Sequence, residues 1–318
     1  MIINSAFKRI ALASIILLLL FLFSIFPKDQ EYELNLGKSI EYVSNNNTSE
    51  IYLLDANNFI GRASVILKSK TASNKVREIL EILVIDGKRE SVVPNGFRAV
   101  IPSDTKILSV ELVDNVAKVN FSKNLLDVSK EMEEKVIEAI TYSLTSVTEV
   151  KGVLIYIEGS LLSKLPQSEK RLPAILKRDF GVNKMYDIDS LSKITEVTVY
   201  YINKHDDNYY YVPVTKYTND SRDKIKIIID ELTSGPLYET NLMSFLNANA
   251  KLLNYELSDN SLSLNFNSYI LDDIKNKKIL EEVIYSIALS VGDNYGVKEV
   301  IFKVENEEIE KSTLGGIE

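Results

Sequence analysis

Few side chains in this 318-residue chain are suited to chemistry. Its only histidine, His205, stands in His205-Asp206-Asp207-Asn208, one imidazole beside two carboxylates. That grouping could ligate a metal, but a single His between two strand-like segments reads first as a solvated hairpin loop. Acidic groups recur at Asp272-Asp273, Glu281-Glu282 and Glu131-Met132-Glu133-Glu134. Paired carboxylates can act as general acid and base. Adjacent acids on a helix point in different directions, however, and suit a helix N-terminus or an exposed face. Tyr209-Tyr210-Tyr211 could stack on sugars, yet strand alternation puts Tyr209 and Tyr211 together on one side. The absence of Cys excludes disulfides, thiolate zinc sites, iron–sulfur clusters and a cysteine nucleophile. No Gly-rich phosphate loop, Gly-x-Ser-x-Gly or Ser-x-x-Lys element occurs. The expectation is a protein that is not an enzyme, with no catalytic, cofactor-binding or metal residues and no cofactor.

The elements around these residues say more. Lys8 and Arg9 precede an uncharged apolar run, Ile10 to Phe26, centred near Leu18. As a helix it spans roughly 26 Å, enough to cross a bilayer core. No small-x-small cleavage site follows, so residues 1–27 read as an uncleaved signal anchor with a cytoplasmic N-terminus. Residues 28–49, polar and Asn-rich, read as a tether. The rest is then expected outside the cytoplasm, as a single-pass protein of the cell membrane. With 37 Lys+Arg against 45 Asp+Glu the net charge is −8, which argues against a nucleic-acid partner.

The remainder is a duplication. Residues 106–121 read KILSVELVDNVAKVNF, residues 251–266 read KLLNYELSDNSLSLNF, and eight of the sixteen positions are identical. The pattern is a β-hairpin. Leu108, Val110 and Leu112 alternate with polar residues and are expected on one face, as are Leu253, Tyr255 and Leu257. Asp114-Asn115 and Asp259-Asn260 supply the tips, since both residue types tolerate positive φ. Phe121 and Phe266 end the return strands. The shared Lys106/Lys251 and Glu111/Glu256 read as solvent-face strand residues.

Helices flank each hairpin. Val76, Ile79, Leu80 and Leu83 follow helical spacing, as do Ile225, Ile228, Ile229 and Leu232. Ser73 or Asn74, and Asp220 or Ser221, are the expected N-caps. Gly235-Pro236 stops the helix of the second copy, and the first copy has Asp86-Gly87 there without Pro. A second helix and a β-branched strand close each copy. The order is β, β, α, β, β, α, β, which predicts an α+β fold: two tandem mixed-sheet domains with helices on one face. The expected domains are 50–160 and 196–306. A basic connector, 161–195, reads as a solvated linker, and 307–318 as a flexible tail.

On these residues the chain resembles the GerMN-domain family. The carriers are Leu232-x-x-Gly235-Pro236, the Leu-x-(Val/Tyr)-x-Leu-x-Asp-Asn hairpins, the Asn-Phe exits and the element order. The resemblance covers about two-thirds of the chain. It implies a fold similar to ring-building domains and a role in endospore formation or germination, between mother-cell and forespore membranes, supporting assembly of other proteins. It attributes no catalytic residues. The implied partners are the membrane, through one N-terminal helix, and envelope or sporulation-complex proteins. Peptidoglycan or another wall polymer is the alternative partner of a general envelope module. Two departures stand out. Tandem members look like lipoproteins, and this chain has no Cys to lipidate; the first copy also lacks the Gly-Pro element.

Overall fold

The strand and helix order predicted for each copy is contained in the computed structural model, which describes residues 48–236 and 240–314 and adds further strands to both copies. The first copy contains β1 (Thr48–Asp55), β2 (Ile60–Ile66), α1 (Ala72–Leu83), a two-residue β3 (Phe97–Arg98), β4 (Ile107–Val113), β5 (Val116–Phe121), α2 (Lys130–Leu144), β6 (Gly152–Ile157) and β7 (Ser160–Leu161). The short β8 (Met185–Asp187) follows. The second copy contains β9 (Thr195–His205), β10 (Asn208–Thr218), α3 (Lys224–Ser234), β11 (Leu252–Leu257), β12 (Ser261–Phe266), α4 (Glu281–Tyr295), β13 (Glu299–Val304) and β14 (Glu307–Thr313). The predicted anchor, with Ile10, Leu18 and Phe26, lies outside the described residues, as does nearly all of the tether. Among the described residues no helix is long and apolar enough to cross a membrane.

Each copy carries a small mixed sheet, ordered β4-β5-β6-β7 or β11-β12-β13-β14. In both, a hairpin is antiparallel and the strand after the second helix joins it in parallel, β6 on β5 and β13 on β12. The opening hairpins do not join these sheets. They merge with each other into a separate six-stranded sheet in which β2 meets β10 at Arg62 and Tyr211. The helices of each copy are therefore covered on two sides. Every residue of α2 from Val136 to Leu144 is buried, and α2 touches both β1 and β6.

The second buried face was hidden in the sequence because small hydroxyl residues line it. Ser143 of α2 accepts a hydrogen bond from the Tyr52 backbone N–H at 2.8 Å, and Ser290 of α4 accepts one from Tyr200 at 2.8 Å. A serine lets strand backbone lie close to the helix and satisfies its donor, so it replaces apolar contact there.

Several local expectations change. A β-bulge falls at Leu108 and, equivalently, at Leu253. One extra residue reverses the alternation, so Ile107 and Leu252 face Phe121 and Phe266 while Leu108 and Leu253 are turned out to solvent. Leu112 sits half-buried opposite Ala117; Leu257, opposite Leu262, overhangs the sheet edge and is exposed. Phe121 and Phe266 are fully buried, as the pattern requires. Asp114 and Asn115 take φ of 51° and 64°, whereas Asp259 and Asn260 form a wider loop without positive φ. Helix α3 ends at Gly235, whose φ is +74°, just before Pro236. The N-cap positions are Thr71 and Asp223 rather than the residues expected.

Two segments predicted to be loose are packed. Residues 307–313 of the predicted tail form β14, which pairs along β13, because β13 would otherwise leave its backbone unpaired on that side. The connector buries Leu165, Leu172, Leu176, Phe180 and Val182. These apolar side chains are spaced irregularly between Pro and Lys residues, so no periodic pattern marked them.

Candidate functional site

A connected polar arrangement lies where the two copies meet. Tyr52 on β1 and Tyr200 on β9 occupy equivalent places, 148 positions apart, and their hydroxyl oxygens are 3.0 Å from each other. Arg178, from the connector, donates to both hydroxyls at 3.3 Å and to the Asp293 carboxylate of α4 at 2.6 Å. The Tyr200 hydroxyl donates to the other Asp293 oxygen at 2.6 Å. The Arg178 guanidinium also lies over the rings of Tyr52 and Tyr142, 5.4 and 4.8 Å from their centroids. Burial works against the Arg178 charge, but Asp293 and the surrounding tyrosines outweigh it and hold the guanidinium more firmly protonated than usual. Burial, then the Asp293 charge, pushes the Tyr200 and Tyr142 hydroxyls upward, so both stay neutral donors.

A second equivalent pair lies farther along the same strands. Asp55 at the end of β1 accepts from the Asn203 side chain of β9 at 3.0 Å, again 148 positions away, and from the Tyr210 hydroxyl at 2.9 Å. Tyr210 thus bonds across to the first copy, while Tyr209 and Tyr211 lie on the other face of β10, clustered with Tyr200 and Ile202 of β9. Asn183, at φ 46°, fills the space between β2 and β10. Its side chain accepts from the Ile60 N–H at 2.9 Å and donates to the carbonyls of Ile60 and Pro213 at 2.9 and 2.7 Å. Its own N–H donates to Glu138 at 3.1 Å. Glu138 is buried beside Lys184, 3.4 Å away, and Lys184 also bonds Glu134. Burial raises Glu138 despite Lys184, and lowers Lys184 despite both glutamates.

These groups can hold two domains together. No nucleophile–base pair stands among them, and their protons are committed to fixed partners. The carboxylates singled out from sequence are dispersed. Glu133 accepts the backbone N–H groups of Gln167 and Ser168 at 2.7 Å, Asp273 accepts from Asn276, and Glu281 and Glu282 open α4. His205 faces Gly96 of the first copy and lies 3.6 Å from Asp206. Among the described residues no group of three or more His, Asp or Glu could hold a metal ion. The family-motif residues Leu108, Leu112, Asp114, Asn115, Phe121, Gly235, Pro236, Leu253, Leu257, Asp259, Asn260 and Phe266 belong to the hairpins and the helix end of the copies and take no part in the junction bonds described above.

Tyr52, Tyr200, Arg178, Asp293, Asn183 and Asp55 were not singled out from the sequence. The signal that could have found the tyrosines is the duplication itself, carried back from the hairpins to the opening strands at an offset near 148.

A family model described as Germane, sporulation and spore germination, matches residues 50–163 and 198–310. The chain is 33% identical over 275 residues to the spore germination protein GerM of Bacillus subtilis (strain 168), covering 83% of this chain and 75% of that protein. The solved structure of the tandem GerMN domains of the sporulation protein GerM from Bacillus subtilis matches with a TM-score of 0.77 and 30% identity, over 85% of this chain and 97% of that one. The first GerMN domain of that protein matches 42% of this chain and 98% of its own length, with 30% identity and a TM-score of 0.39. Both copies thus fall within one family model and within one tandem structure, and the chain belongs to the Germane family.

Proposed function

We propose that this protein acts in endospore formation or germination as a non-enzymatic, membrane-anchored scaffold whose two domains stand outside the cytoplasm and bind other proteins. The observation that carries this reading is the match of both copies, in tandem, to the GerMN pair of a sporulation protein. The junction supports it, since buried bonds to Arg178, Asn183 and Asp55 present the two copies as one unit. The apolar run Ile10 to Phe26 supplies the anchor.

Deletion of the gene, with complementation, tests the reading. Loss of heat-resistant spores or slowed germination is expected. A fluorescent fusion should collect at the membranes between mother cell and forespore. An even signal on the vegetative envelope, with normal sporulation, would overturn the sporulation role. Single alanines at the exposed acids should leave complementation intact; a folded, localised variant that fails would sink the non-enzymatic part.

A wall-binding reading stands second. Tyr186 is 61% exposed and stacked on Tyr217 at 5.0 Å, a flat surface on which a sugar ring could lie. Pull-down by purified cell wall, lost in Tyr186→Ala, would favour it.

A further inference from the structure

Each small sheet has one closed edge and one open edge. In the first copy β6 is covered by β7 and by the chain at Leu176. In the second, β13 is covered by β14, which presents Glu307, Glu308 and Glu310 to solvent. Three exposed acids against one exposed base, Lys311, disfavour further pairing on that side. The open edges are β4 and β11.

Four of the eight identities between the hairpins lie on or just before these open edges, and the core does not account for several of them. Leu108 and Leu253 sit on the bulges with 48% and 53% of their surface exposed, and Leu257 is 53% exposed. Lys106, Lys251, Glu111 and Glu256 are exposed, and none takes part in an ion pair among the described residues. What they share is a pattern: each open edge is basic at its start, acidic five residues on, and apolar between.

Such an edge is complementary to itself in one orientation only. Laid antiparallel on a second copy, Lys251 comes opposite Glu256 of the other chain and Glu256 opposite Lys251, with the two-fold axis between Leu253 and Asn254. A parallel arrangement sets Lys against Lys. Cross-strand opposite charges stabilise and like charges destabilise. The pairing is isologous and closes as a dimer. Of the two edges, β11 exposes the larger apolar surface, with Leu253 and Leu257.

We propose that β11 is a self-association edge, where two copies of this chain pair antiparallel through Lys251, Leu253, Glu256 and Leu257 and join their four-stranded sheets. The proposal is independent of the sporulation role, because it concerns a second copy and no other partner.

The full chain lacks Cys, so introduced thiols are the only ones present. Two differently tagged full-length copies, Leu253→Cys and Asn254→Cys, are co-expressed and oxidised in intact cells. A mixed disulfide dimer is expected. Lys251→Glu should lower its yield about fivefold or more, since two like-charged pairs then face each other. The double variant Lys251→Glu/Glu256→Lys should restore it. Melting temperatures of the charge variants should stay at the parent value, which separates lost association from lost fold. Absence of the dimer, equal yield after the single reversal, or cross-linking only in the matching β4 pair Leu108→Cys and Ser109→Cys would each overturn the proposal.

Discussion

The hydroxyl groups of Tyr52 and Tyr200 lie 3.0 Å apart, although 148 positions separate them in the chain. They are the same residue of two copies, facing each other across the line where the copies join. Tyr200 also donates to Asp293, a charge-assisted bond, while Tyr52 receives Arg178. Tyr200→Phe is expected to cost about 2 kcal/mol and Tyr52→Phe about 1 kcal/mol. Both share Arg178, so the double variant should cost less than the two together. Denaturant unfolding of the four proteins measures this directly; strict additivity would show that the hydroxyls act separately.

Arg178 ties the connector to both copies. Its side chain keeps 25% of its surface exposed and that of Asp293 14%, so their partnership is mostly shielded from water. Arg178→Met leaves Asp293 without its cation and should destabilise by roughly 3 kcal/mol. Arg178→Lys should rescue only part, because an ammonium cannot spread over two hydroxyls, a carboxylate and two rings. Calorimetry should show two melting steps in Arg178→Met where the parent gives one, if the copies then unfold separately. A single step at the parent temperature would contradict this.

Asn183 replaces a missing stretch of ladder between β2 and β10. Asn183→Ala removes the bonds to Ile60 and Pro213 and strains a residue at φ 46°, which should cost about 2–4 kcal/mol. Amide exchange at Ile60 should accelerate more than at Ile155 in β6, since only the former loses its acceptor.

Acid should loosen the structure at two glutamates. Burial pushes Glu78 upward, but N–H groups of Lys68 and Ser69 and the Arg89 cation prevail and hold it below 4.5. Glu133 likewise lies below 4.5, with burial outweighed by Gln167 and Ser168. A carboxyl lowered in the folded state contributes stability above its unfolded value, lost as pH falls through the folded one. Stability should therefore drop below about pH 4.5. Glu78→Gln and Glu133→Gln should be less stable at pH 7 and flatter in this acid window. Thermal melts from pH 7 to 3 provide the check, and an unchanged slope in both variants would refute it.

Gly96 has no room for a side chain. At φ +87° an added Cβ would sit 2.5 Å from Cγ of His205, in the other copy. Gly235, at φ +74°, faces open space. Gly96→Ala should cost about 2–3 kcal/mol and Gly235→Ala about 1 kcal/mol. Adding His205→Ala should recover part of the loss at Gly96 and none at Gly235, as read by chemical denaturation.

The repeat unit was legible at the level of elements. Alternation in 106–121 and 251–266 and the helical spacing from Val76 and Ile225 depend on one-dimensional periods of two and 3.6, which a sequence carries directly. The bulges were not legible. One extra residue reverses the faces of a strand, and nothing in Leu108 or Leu253 as residue types announces it. The junction was not legible either. Arg178 and Asn183 lay unmarked within the basic connector, because their partners are supplied by elements far away in the chain.

The sequence by itself therefore determined the duplicated α+β unit, its element order and its family, since these rest on local periodicity, turn residues and repetition. The tertiary structure alone decided that the opening hairpins leave their own sheets and join each other. It also decided that the connector is packed rather than solvated. The physical reason is that both outcomes depend on buried polar groups finding partners across the junction between copies: the Tyr52 and Tyr200 hydroxyls with Arg178, and the backbone of Ile60 and Pro213 with Asn183. Such pairing is a property of distances in space, and no spacing along the chain encodes it.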